Sequence, residues 1–118
     1  MTARLAWLMV IATMIGVSCG QILFKLGADR LEREGAPTPI PYLNAPIAGA
    51  LVIYVLSTLL WISALRALPL RLAYPVSALA YVVVPVLGHF FLSEPLGFRT
   101  LAGGALIVAG IAVATSGA

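Results

Sequence analysis

The sequence predicts an all-α membrane protein, a bundle of four transmembrane helices. Hydrophobic residues make up 62% of its 118 positions and charged residues only 9%, a balance far outside that of a water-soluble fold. Lipid must therefore be the solvent for most of this surface. A helix needs about 20 apolar residues to cross a hydrocarbon layer of roughly 30 Å, and the chain holds four such stretches joined by short connections. They form one membrane domain over the whole chain, with little left over.

The first stretch runs from about Leu5 to Ala28. It could be read as a cleaved signal, since Arg4 precedes the apolar run and Val17-Ser18-Cys19 looks like part of a processing site. Gly16 stands where that site needs a large apolar residue, so the segment is expected to remain and to span. Along it, Ser18, Gln21 and Lys25 fall at offsets of zero, three and seven and share one side. Lys25 is the one charge well inside an apolar stretch, where a charge is costly enough to suggest a function. A lysine near a helix end can equally snorkel to the headgroups. Gly16 and Gly20 form a small-residue pair that lets another helix approach closely.

A polar stretch from about 29 to 45 follows, an interfacial loop that could begin with a helical extension, with alternating charges at Asp29 to Glu34. Pro37, Pro39 and Pro41 then forbid a continuous helix. The second span, about Pro46 to Leu65, carries Tyr54, Ser57 and Trp61 at helical spacing. The third, about Leu70 to Leu92, carries Tyr74, Ser77 and Tyr81 in the same way. One such aromatic row is ordinary packing or interfacial anchoring; three polar rows in one small bundle point to a lined cavity. Pro75 and Pro85 remove the amides that would bond the carbonyls of Arg71 and Tyr81, loosening the third span where a cavity can accommodate it. The fourth, about Arg99 to Thr115, is rich in glycine and alanine. Gly103 and Gly110 lie two turns apart on one face, which suits a dimer seam or packing within one copy.

The net charge of +3 comes from scattered basic residues, seven in all, with no stripe that would hold nucleic acid. One cysteine, Cys19, cannot build a disulfide framework. No metal-ligand cluster, phosphate-cradling loop or nucleophile-base pair is present, so neither metal, cofactor nor enzymatic chemistry is expected. Basic residues are nearly balanced between the two sides, Arg4, Arg66 and Arg71 against Arg30, Arg33 and Arg99 with Lys25, so the insertion direction is not dictated. Two copies inserted in opposite senses would form an inverted-repeat transporter. No acidic residue lies inside a span, which leaves His89 as the one residue near a span that could titrate in place of a buried carboxylate.

In the order and spacing of its motifs the chain resembles the small multidrug resistance fold, within the EamA-like drug and metabolite transporter superfamily. The resemblance runs from about Trp7 to Thr115. It rests on Gly20 and Lys25, Tyr54-Val-Leu-Ser57, Pro69-Leu-Arg-Leu-Ala-Tyr74 and Gly103-Gly-Ala-Leu-Ile-Val-Ala-Gly110. It implies dimers with a site between protomers. Drug-exporting members carry a glutamate eight residues before the lysine, where this chain has Val17. Gly20-Gln21 with Lys25, Ala73-Tyr74-Pro75 and Glu94-Pro95 are more similar to the ArnE and ArnF family of paired subunits, flippases of undecaprenyl-phosphate aminoarabinose.

The resemblance implies a transporter or flippase subunit of the bacterial inner membrane that moves a polyprenyl-phosphate-linked sugar or similar anionic lipid. Its partners are then the bilayer, the lipid-linked substrate and a second identical or paralogous subunit. Lys25 and Arg71 are expected to attract the phosphate, with Gln21, Ser18, Tyr54, Trp61, Tyr74, Ser77 and Tyr81 lining the groove. Export of a small amphipathic or amine solute is the second expectation. A non-transport role assisting a membrane glycosyltransferase is the third.

Overall fold

The computed structural model describes residues 2–34 and 44–117. These residues form five helices: α1 (Ala3–Glu34), α2 (Ala45–Leu65), α3 (Leu70–Ser77), α4 (Ala80–Leu92) and α5 (Phe98–Thr115). With α3 and α4 counted as one crossing, four segments are long and apolar enough to span a membrane. The span expected to end near Ala28 continues as helix to Glu34, the helical extension that the start of the polar stretch allows. Local pairing explains the extension: Lys25 meets Asp29 one turn on, and Arg33 Nε donates to the Asp29 carbonyl at 3.4 Å. Such i,i+4 links stabilise a helix wherever water can reach it. The three prolines expected to break the chain, Pro37, Pro39 and Pro41, lie outside the described residues.

α1 and α2 form the densest contact, and the reason is a run of small residues seven apart. Ala6, Thr13, Gly20 and Gly27 are buried along α1, facing Ala50, Ser57 and Ala64 on α2. A seven-residue repeat keeps one narrow stripe facing its neighbour. Small side chains along it let the backbones approach, which drives helix association in lipid, where hydrophobicity cannot. A Cβ at Gly16 would overlap the Ser57 hydroxyl, and one at Gly27 would overlap the Ile47 side chain. The seam also carries polar links. Thr13 Oγ1 donates to the carbonyls of Met9 at 2.8 Å and Ser57 at 3.3 Å. Asn44 caps α2 by accepting from the Ile47 amide at 3.0 Å, and its Nδ2 donates to the Gly27 carbonyl at 3.0 Å.

The third crossing is not the single helix expected over 70–92. It breaks at Ala78–Leu79, between Pro75 and Pro85. Each proline deletes one i→i−4 bond, and the backbone between them tightens into i→i−3 bonds, with Leu79 N–H to Val76 O and Tyr81 N–H to Ala78 O at 3.0 and 2.9 Å. α4 ends on Ser93 in the left-handed region, φ 55°, where its amide and that of Glu94 both donate to the Gly88 carbonyl. Pro95 follows and prevents continuation. α5 then runs back along α3 and α4, and none of its residues is buried. The described chain is a slab only 17 Å thick against 53 and 37 Å in its other dimensions, less than two helix diameters with side chains.

Candidate functional site

The slab holds a half-open cavity of about 650 Å³ between α1, α2 and the broken third crossing. α1 contributes Thr13, Met14, Val17 and Gln21, and α2 contributes Tyr54, Thr58 and Trp61. Tyr74, Ser77, Tyr81 and Pro85 face them across the helix break, with Ala78 and Ala80 at the break itself. Two ring pairs stiffen the aromatic wall. Trp61 stands edge-on to Tyr74 with ring centroids 6.3 Å apart, and Tyr54 meets Phe24 at 6.5 Å. Ser77 donates to the Tyr74 carbonyl at 2.6 Å and Thr58 to the Tyr54 carbonyl at 2.8 Å, so these hydroxyls satisfy their own helices while their lone pairs stay available. Among the described residues no carboxylate or cation lines this space.

The structure thus brings together six of the residues expected from sequence: Gln21, Tyr54, Trp61, Tyr74, Ser77 and Tyr81. It does not bring three others. Ser18 is fully buried and donates to the Met14 carbonyl at 2.7 Å, away from the cavity. Lys25 lies one turn beyond Gln21, half-exposed, with its ammonium 3.1 Å from Asp29. Arg71 lies one turn before Tyr74, exposed in the first turn of α3. The seam of Ala6, Val10, Ala64, Leu68 and Ala73 puts that turn beside the start of α1, so Arg71 and Lys25 stand at opposite ends of the cavity. Among the described side chains the carboxylates of Asp29, Glu32 and Glu94 lie toward the Lys25 end, and the end with Arg4, Arg66 and Arg71 carries none.

Sequence spacing misassigned one row and missed others. Ser57, grouped with Tyr54 and Trp61, turns into the α1 seam and is nearly buried, and Thr58 takes its place in the cavity. The signal was the small-residue stripe of α2, Ala50, Ser57 and Ala64, which claims Ser57 for packing. Val17 lines the cavity where the drug-exporting pattern has glutamate. His89 sits outside it, exposed, with Nδ1 2.9 Å from the Glu94 carbonyl. Gly103 and Gly110 have nothing within 4 Å of a built Cβ, whereas Gly104 faces Val82 at 3.6 Å; within this chain α5 packs through Gly104 and leaves the face bearing the other two open.

With that geometry in view, the relatives are informative. Residues 1–116 match the EamA-like transporter family. The chain is 33% identical over 106 residues, 89% of its length and 92% of the relative's, to a Pseudomonas aeruginosa (strain LESB58) protein named "Probable 4-amino-4-deoxy-L-arabinose-phosphoundecaprenol flippase subunit ArnE". It is 30% identical over 117 residues, covering 94% and 87%, to a Pseudomonas fluorescens protein given the same description as subunit ArnF. An Erwinia tasmaniensis ArnF-named protein is 31% identical over 113 residues, covering 88% and 89%. No solved structure matches the chain.

Proposed function

Because this chain belongs to the EamA-like transporter family, we propose that it is one subunit of an inner-membrane flippase carrying a polyprenyl-phosphate-linked amino sugar between leaflets. The observation that carries the reading is an uncharged, aromatic, half-open cavity with one cation a helical turn beyond each end. A sugar leaving water must find replacement hydrogen bonds and flat apolar faces. Gln21, the tyrosine hydroxyls and the Trp61 ring supply both. A phosphodiester must not be held at the midplane, because a fixed counter-charge there would trap it. Here Lys25 and Arg71 offer two terminal stations with a neutral passage between them, each able to bond phosphate oxygens. Asp29 neutralises Lys25 in the absence of cargo and competes with phosphate for it. The open side lets the tail remain in lipid while the head passes.

A slab this thin cannot enclose a headgroup alone. A second subunit of the same fold would cover part of the open side, leaving a slot for the tail, and rocking of one against the other would alternate access. The resemblance to both ArnE-named and ArnF-named subunits supports a paralogous partner, and the open glycines of α5 supply a close-approach face for it. The test is translocation of an aminoarabinose-phosphoundecaprenol in proteoliposomes holding the assembled subunits. Lys25→Ala and Arg71→Ala are each expected to slow transfer, while Arg99→Ala, outside the cavity, does not. Unchanged transfer in both would sink the two-station scheme. Export of a small amphipathic solute is the competing reading, favoured by the uncharged lining; it requires saturable transport of such a compound that the lipid does not inhibit.

A further inference from the structure

A second, smaller crevice of about 130 Å³ lies between α4 and α5. We propose that it seats the first isoprene unit of the cargo's tail, an inference that rests on the flippase reading above. Its walls include Tyr81, Pro85, Leu96, Gly104, Ala105 and Val108. Tyr81 and Pro85 also line the headgroup cavity, so one wall of α4 separates and joins the two spaces. The crevice runs from Tyr81, beside the helix break, to Leu96 in the turn that follows Glu94. With four alternating crossings, the turn between α4 and α5 lies on the same side as the Lys25 end of α1, which places the Leu96 end of the crevice on the side of the Lys25 phosphate station. A lipid with its phosphate there has its head directed to the larger cavity and its tail along the smaller one.

The volume corresponds to about four water-sized groups at ~30 Å³ each, the bulk of one five-carbon isoprene unit. Affinity for a tail cannot come from hydrophobicity, because bulk lipid is equally apolar; it must come from shape. Pro85 and the β-branched Val108 form a stiff, uneven wall. A Cβ added at Gly104 would stand 3.6 Å from Val82, ordinary contact, so the glycine leaves the crevice wider there by about one methyl group. A methyl-branched, unsaturated chain matches such a wall, whereas a straight acyl chain leaves gaps and is no better off than in lipid.

The test uses the assembled subunits in detergent micelles, this chain carrying Trp7→Phe and the partner made free of tryptophan, so that quenching of Trp61 reports occupancy of the headgroup cavity. Three probes carry the same aminoarabinose phosphodiester: a methyl ester, a farnesyl ester and a straight alkyl ester of equal carbon number. The farnesyl form is expected to bind about tenfold tighter than the alkyl form, the scale of shape-dependent packing in lipid. Ala105→Phe, which fills the crevice from α5, is expected to abolish that advantage and to leave methyl-ester affinity unchanged. If Ala105→Phe disturbs methyl-ester binding too, Val108→Ala decides: farnesyl affinity must fall with methyl-ester affinity intact. Equal affinity for farnesyl and alkyl forms, or a farnesyl advantage that survives the decisive variant, overturns the isoprene seat while the headgroup reading stands. Failure of every probe to quench overturns both.

Discussion

Asn44 is the most economical place to perturb the frame that carries Lys25. Its Oδ1 accepts from the Ile47 amide and its Nδ2 donates to the Gly27 carbonyl, both at 3.0 Å. One side chain therefore caps α2 and ties it to the turn of α1 that bears the lysine. Loss of an asparagine cap costs about 1 kcal/mol, and loss of a neutral hydrogen bond about 1 kcal/mol more. Asn44→Ala should therefore destabilise by about 2 kcal/mol. Asn44→Ser keeps an acceptor for the cap and drops the tie to Gly27, so about half of that loss should return. Reversible unfolding in mixed detergent micelles measures the total, and amide exchange at Ile47 isolates the cap. If Asn44→Ala costs under about 0.5 kcal/mol and the Ile47 amide exchanges as before, the clasp has no energetic content.

Three further outcomes follow from the same packing. Gly27→Ala drives a methyl into Ile47 and Asn44, so a cost of about 1–3 kcal/mol is expected in the same unfolding assay; a neutral result means the seam is looser than drawn. Val17→Glu puts a carboxylate into a cavity that now has no charge, and should make Trp61 fluorescence respond to a hydrophobic cation that the parent ignores. A variant that stays blind to the cation would mean that position 17 does not face the space. Gly110→Cys, in a Cys19→Ser background and labelled with a photoreactive maleimide, should capture a second subunit in native membranes, while Gly104→Cys should not. Equal capture at both would place the partner elsewhere.

Much of this was legible in the sequence, because hydropathy and helix length are set by the bilayer itself. The four crossings, the α5 boundaries and six of the expected cavity residues follow from period and polarity alone. Three features were not legible, each for a physical reason. The length of the α1 extension, as distinct from its possibility, depends on Lys25, Asp29 and Arg33 pairing where lipid no longer dictates polarity. The break at Ala78–Leu79 is a joint effect of Pro75 and Pro85, and spacing does not say where between two prolines a helix will yield. The places of Ser18 and Ser57 were decided by packing. Both are small enough to be used in a close contact, and a short hydroxyl that bonds its own backbone carries no mark of which use it will have.

The thinness of the slab has a consequence for how such a chain lives among its neighbours. With few side chains fully buried and the surroundings as oily as the surface, nothing akin to escape from water forces this chain to aggregate or holds a pair of such chains together. Association becomes a competition between neighbouring helices and neighbouring lipids for the same grooves. Its governing variable is the mole fraction in the bilayer, together with the shapes of the lipids present, rather than concentration in an aqueous volume.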